Sequence, residues 1–371
     1  MPLHAIDLDP VSVTLDDIVG HLAALTIRDG ARRLSPLHRA PWADDPTADF
    51  PAGTAPNVQH LSGDFFCAPF GRNDLEAAPS HGWPANSAWD HVETSHGEGR
   101  SSMLFRLRQR VMGATLDKRL TLVAGHPFLY QEHVFSDGDG AVSASHHTMV
   151  HMRAGGDLAF SPKQAALTPP EALESDPARG RSILAYPARS ADLGAFPLAG
   201  GGSVDLRRFP PGESHEDFLT LVEAPAELAG KTARAIGWTA VSRVAEQDHV
   251  LVLKRTDVLP VTMLWISNGG RDYAPWSSRH TGVLGIEDAR ASGLGHADSC
   301  RDNDLTRIGV PTAFALAAGR TTVIRQVIGA VAAEPGEGRV VGLEPSADGL
   351  TLRFAGGAAR SVGYDGGFLG E

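Results

Sequence analysis

Cysteine is almost missing from this 371-residue chain: Cys67 and Cys300 are the only two, far apart, and no Cys-x-x-Cys pair occurs. That excludes a disulfide framework and a zinc ribbon, and points to a reducing cytoplasm. Lysine is nearly as scarce, with Lys118, Lys163, Lys231 and Lys254 beside 29 arginines. Basic charge is in deficit overall, 33 basic against 44 acidic residues for a formal charge of −11. A general nucleic-acid binder needs a positive surface, so that class is set aside. No apolar run approaches the roughly 20 residues of a membrane span, and the start, MPLHAIDLDP, has acidic residues where a signal peptide needs a positive end. The expectation is a cytoplasmic protein with no membrane and no nucleic-acid partner. The sequence does not specify an oligomeric state.

Helical pattern is the next thing in short supply. Only Leu15 to Thr26, Pro170 to Glu174 and Ser214 to Val222 carry it, the last with Ser214 as N-cap and acidic residues in its first turn. Glycine (41) and proline (25) are abundant and spread along the chain, which favours many turns over long helices. What is there is strand. Short alternating or β-branched runs recur at Val11 to Leu15, Ser102 to Val111, Arg119 to Val123, Ala141 to Met152, Leu158 to Ser161, Val250 to Lys254, Val261 to Ser267, Thr321 to Ala330 and Leu350 to Ala355. Many strands, few helices and no fixed repeat predict an all-β chain folded as a large antiparallel β-sandwich. The stretch from Ala165 to Gly202 reads as long loops. A single domain over 1–371 is expected, with a core over 11–330 and a C-terminal β-hairpin extension over 331–371.

Histidine occurs 16 times, and three segments combine it with arginine, carboxylate, turn glycines and tryptophan. In APFGRNDLEAAPSHGWPANSAW, Arg72 and Asn73 follow one turn, His81 follows another, and Trp83 and Trp89 flank it. Arginine and histidine can bind sugar hydroxyls while tryptophan offers an apolar face; a long surface loop pinned by its tryptophans is the equal alternative. In ASHHTMVHM, strand periodicity puts His147, Met149 and His151 on one face and His146 and Thr148 on the other. Two same-face histidines could begin a metal site, but no third donor is fixed nearby. Ordinary hydrogen-bonded strand histidines suffice for at least two of the three. In the third segment, Arg271, Trp276 and Arg279 occupy a loop after Asn268-Gly269-Gly270, and the run GVLGI delivers Glu287 and Asp288. A carboxylate straight after an apolar run is desolvated, which suits it to act as a base. The plainer reading pairs Glu287 with Arg290 or Arg279, and Arg271 and Arg279 with neighbouring carboxylates.

Taken in order, these motifs resemble the galactose mutarotase (aldose 1-epimerase) superfamily. Phe70-Gly71-Arg72-Asn73 is similar to its arginine signature, His81-Gly82-Trp83 to its His-Gly segment, His146-His147-Thr148-Met149-Val150 to its Asn-His strand, and Gly285-Ile286-Glu287-Asp288 to its glutamate motif. Gly30 to Leu34 and Leu316 to Gly319 are similar to its first and last core strands, so the resemblance spans about 11–330. It departs where Trp83 replaces a paired glycine and His146 replaces an asparagine, which bears on the sugar more than on the fold. The resemblance implies interconversion of the α and β anomers of an aldose, or of an acidic or phosphorylated sugar. It assigns Glu287 as base and His147 as acid, opposed charges keeping the glutamate pKa low and the histidine pKa high. Arg72, Asn73, His81, Trp83, Arg271, Trp276 and Arg279 would bind the sugar, with no cofactor and no metal. A non-catalytic sugar-binding sandwich is the first alternative. A metal-dependent β-fold enzyme, which needs His147, His151 and a carboxylate together, is the second. Glu344, near the end, is expected on the surface of the terminal hairpin.

Overall fold

The structure, a computed structural model, describes residues 3–225, 236–293 and 295–370; Lys231 lies outside them. Two large antiparallel sheets form the sandwich. The seven-stranded sheet runs Arg189–Ser190, Lys163–Leu167, His215–Glu223, Val261–Asn268, Val283–Arg290, Ala144–His151, Asp64–Cys67. The nine-stranded sheet has Asp248–Arg255, Thr321–Ala332 and Phe128–Ser136 at its centre and the hairpin Trp89–Gly97 with Arg100–Leu107 at one edge. Each strand-forming run read from the sequence overlaps a strand, although Ser102 to Val111 outruns Arg100–Leu107 and Ala141 to Met152 divides between Gly140–Val142 and Ala144–His151. Alternation explains their pairing: Leu219, Leu221, Leu264, Ile266, Leu284 and Ile286 point back from the seven-stranded sheet onto Val241, Val250 and Val252 of the nine-stranded one.

Two smaller sheets flank the sandwich. The four strands of residues 3–34 pack against the half of the nine-stranded sheet holding Met103, Phe105 and Leu120. At the other end the expected hairpin gains a third strand: Val340–Pro345, Gly349–Phe354 and Ala359–Gly363 bury Leu343, Leu350 and Leu352 against Phe128, Leu251 and Val327. Glu344 lies on its exposed face and pairs with Arg353, Nη2 to Oε2 2.8 Å.

The three expected helices do not form. Leu15 to Thr26 is the end of one strand, a turn and most of the next; Pro170 to Glu174 is irregular; Ser214 to Val222 lies in the strand His215–Glu223. In that strand all nine residues are buried, with Glu216 facing one side and Asp217 the other. Packing on both faces removes the polar alternation by which a strand is recognised, and acidic residues after a serine then imitate a helix start. Ala165 to Gly202 is largely irregular, broken only by strands of two to five residues.

Candidate functional site

The face of the seven-stranded sheet that points away from the nine-stranded one carries the polar side chains of interest. On the strand Ala144–His151, His147 lies opposite Phe65, and continued register places it beside Glu287 of Val283–Arg290. His147 Nε2 is 3.2 Å from Glu287 Oε1, with both residues buried. Gly285, two residues before Glu287 on the same face, makes room for this carboxyl. A Cβ there would lie 3.3 Å from Glu287 Oε1 and 3.0 Å from the Trp265 Cβ. Rings close around His147: Phe65 stacks on it at 4.4 Å, with Trp265 at 5.5 Å and His81 at 5.7 Å edge-on.

His81 reaches this place through strained backbone. Its φ is +67°, uncommon for a residue with a Cβ, and its N–H donates to Gly71 O at 2.7 Å. Gly82 follows at φ +72°, and a Cβ there would sit 2.0 Å from Ala68 O, so only glycine fits. The His81 Nδ1 lies 3.4 Å from Cys67 Sγ. Burial pushes the Cys67 thiol pKa well up and lowers that of His81 to about 4, so at neutral pH the thiol is protonated and the imidazole neutral. Which of the two donates across this contact follows the His81 tautomer.

A second polar knot lies beside the pair. Buried Glu216 accepts from the Trp265 indole and from Ser267 Oγ at 2.8 Å, with Arg271 Nη2 3.2 Å away. Its pKa is raised, burial outweighing Arg271 and the two donors. Arg271 also lies over the Trp276 ring at 4.5 Å, and His280 Nδ1 meets Ser267 Oγ at 2.7 Å.

The protonation states differ from expectation. Burial drives Glu287 well above the ordinary carboxylate range, and burial followed by His81 drives His147 well below the ordinary imidazole range. Both shifts favour the uncharged forms, a carboxylic acid beside a neutral imidazole. The expected opposed charges are not favoured because desolvation outweighs their attraction. Glu287 pairs with neither Arg290, which donates to Val258 O and Asp257 O, nor Arg279.

Of the residues singled out in the sequence, Glu287, His147 and His81 come together, with Arg271 and Trp276 just beyond Trp265. Arg72 is exposed and lines a neighbouring cleft. Asn73 Oδ1 caps its own turn, accepting from the backbone N–H groups of Leu75 and Glu76. Trp83 packs on the opposite side, against the core that includes Phe66 and Trp89, and Arg279 lies over Trp42. His146 faces backward, 3.9 Å from Asp64, and the His151 ring lies beside His38 at 5.6 Å. The trio required by the metal reading is not assembled. Among the described residues no group of three or more His, Cys, Asp or Glu is placed to hold a metal ion.

Sequence reasoning missed Phe65, Cys67, Glu216, Trp265, Ser267 and His280. Two-residue alternation through Met263, Trp265 and Ser267 was the available signal for the tryptophan and the serine. Glu216 was hidden by the false helix start.

No protein-family model matches the sequence, and no curated protein does. Solved structures do match in shape. A galactose mutarotase-like protein from Clostridium acetobutylicum aligns over 89% of this chain and 95% of its own, at 12% identity and TM-score 0.55. A galactose mutarotase related enzyme from Lactobacillus acidophilus aligns over 90% and 99%, at 12% and 0.53. A candidate aldose 1-epimerase from Escherichia coli K12 aligns over 89% and 99%, at 10% and 0.57. Identities this low speak to architecture alone, and in architecture this chain has the galactose mutarotase-like fold.

Proposed function

We propose that the protein interconverts the α and β anomers of an aldose, with Glu287 and His147 as the proton-transfer pair. The observation that carries this reading is the 3.2 Å contact between the two groups on one sheet face, with His81 beside them. Anomerisation moves only protons. The proton on O1 leaves, the C1–O5 bond breaks and O5 takes a proton; the open aldehyde turns about C1–C2 and the steps reverse. One group must give a proton while the other takes one, each assisting by about 10²- to 10⁴-fold.

Starting as acid and neutral imidazole, Glu287 gives its proton to O5 and His147 takes the one from O1. The carboxylate and imidazolium so formed attract each other where water is excluded, and ring closure returns both protons. These roles are the reverse of those the resemblance implies. His81 is a hydrogen-bond partner for a sugar oxygen, and the Trp265 ring beside His147 is an apolar face for the ring C–H groups.

Polarimetry or exchange NMR on a panel of aldoses tests the reading. Glu287→Gln and His147→Ala are expected to lower kcat/KM by about 10²- to 10⁴-fold each while the chain stays folded. Full activity in either variant removes that residue from the mechanism. Near-complete burial of the pair favours one alternative, a sugar-binding protein without turnover. Sugar binding by calorimetry with no rate above the uncatalysed one would establish it.

A further inference from the structure

The acid–base pair does not line the cleft that lies beside it. That cleft, of about 630 Å³, is bounded by residues 167–175, 292–293 and 295–305 and includes Phe218 and Thr220 of the strand His215–Glu223. It belongs to the same sheet face as the pair. Thr220 pairs with Met263 and Met263 with Glu287, so cleft and carboxyl are two strand spacings apart, about 10 Å. A ladder of rings joins them. Phe218 lies 6.5 Å from Phe70 with near-parallel planes, Phe70 meets His81 edge-on at 5.8 Å, and His81 meets His147. Phe70 is buried and is the ring between Phe218 of the cleft and His81 of the site.

Size and charge say what the cleft can hold. Its volume lies in the range of sites for ligands larger than one sugar ring, room for roughly two or three pyranoses. Two arginines, Arg72 and Arg301, face four carboxylates, Glu171, Asp298, Asp302 and Asp304, of which Asp298 pairs with Arg301, and Asp302 and Asp304 pair with Arg307 behind them. With Arg307 counted, carboxylates outnumber arginines by one, which disfavours an anion and leaves acceptors for neutral hydroxyls.

We propose that the cleft binds the body of a neutral oligosaccharide whose reducing-end ring passes Phe70 to reach Glu287 and His147. This rests on the anomerase reading and narrows its substrate to a neutral glycan rather than a phosphorylated or acidic monosaccharide. Entry of the reacting ring requires Phe70 to swing aside, and cleft contacts with rings that do not react hold the reacting ring in place.

The test compares glucose, glucose 6-phosphate, maltotriose and cellotriose by exchange NMR, in the natural chain and in Ser175→Trp and Ala172→Trp. Both positions lie on the cleft wall, Ser175 exposed and Ala172 half-buried. At least one trisaccharide is expected to show kcat/KM about tenfold or more above glucose, and each tryptophan to bring that ratio near one. A ratio near one in the natural chain, or a preference for glucose 6-phosphate over both trisaccharides, overturns the inference and leaves the anomerase reading standing. If no sugar is anomerised, the anomerase reading fails, and calorimetry with the same trisaccharides judges the cleft separately. Binding weakened about tenfold by Ser175→Trp supports the cleft as a glycan site, and no binding overturns it.

Discussion

Glu287 and Asp288 are neighbours on one strand, each only 2% exposed, and they live in opposite electrostatic worlds. Glu287 faces the site, where its one close polar partner is a histidine that burial keeps neutral, and its pKa is driven up by desolvation alone. Asp288 faces the space between the sheets. Lys254 Nζ lies 2.9 Å from it, Thr262 Oγ donates at 2.8 Å and Gln326 at 3.3 Å. The chain of charge continues from Lys254 to Glu223 at 3.1 Å, and from Glu223 to Lys163. Further along the same layer, Asp64 accepts from Thr148 at 2.7 Å and Gln131 at 3.0 Å. The three described lysines, Lys118, Lys163 and Lys254, all lie buried in or beside this layer. A scarcity of lysine noticed as composition is thus a matter of placement. The lesson is that burial by itself neutralises a group, and only burial with a built partner keeps it charged.

The largest test of the comparison is acid. On and beside the site face, burial lowers the pKa of His21 and His38 to about 3 and that of His81 to about 4, with His147 and His280 well below normal. Their folded pKa values lie below the unfolded value near 6.5, so below that pH the unfolded chain binds protons that the folded chain refuses. The stability they contribute is present in full above pH 6.5 and lost as pH falls toward 3 to 4. Each such group tilts the unfolding free energy by about 1.4 kcal/mol per pH unit. His21 and His38, both buried, give about 3 kcal/mol per unit between pH 6 and 4. The raised carboxyls Glu287 and Glu216 tilt the profile the other way, so the test compares urea midpoints at pH 7.5, 6 and 5 in the natural chain and in His38→Phe; equal slopes would mean that His38 is open to water.

Next in size is a direct exchange of neighbours. Asp288→Asn removes one of the two carboxylates that Lys254 meets and is expected to destabilise the fold by about 2–3 kcal/mol, less than the roughly 3–5 kcal/mol of leaving a buried charge without any partner. Glu287→Gln replaces one neutral group by another of similar shape and is expected to cost under about 1 kcal/mol while losing activity. Denaturation curves of the two variants compare them in one experiment. Equal losses would mean that Glu287 is charged in the resting protein.

This contrast also marks what the sequence could disclose. Glu287 and His147 were legible because a motif order singled them out, and strand periodicity placed His147 opposite His146 correctly. The ionic layer behind them was not legible. Lys163, Glu223, Lys254 and Asp288 lie scattered over 126 positions and meet only through sheet pairing. The architecture was readable from its many short strands, since alternation is local. The strand His215–Glu223 was missed because it is buried on both faces and so has no alternation to read.

The smallest effect tests whether the site face is close-packed, as its neutral pair requires. In Gly285→Ala the new methyl meets the Trp265 Cβ at 3.0 Å and Glu287 Oε1 at 3.3 Å, both tighter than ordinary contact. Trp265 is held by its bond to Glu216 and by stacking on His280 at 5.3 Å, so the carboxyl is the freer of the two to move. Overpacking of this kind costs about 1–3 kcal/mol, and the low end is expected because a single methyl is added at the edge of a side chain. Activity should fall more than stability does, since displacing Glu287 lengthens its contact with His147. A thermal melt shifted by a few degrees with kcat down about tenfold or more is the expected result. A variant equal to the natural chain in both would show that the pair has slack around it, and that its geometry is not set by the strand that carries it.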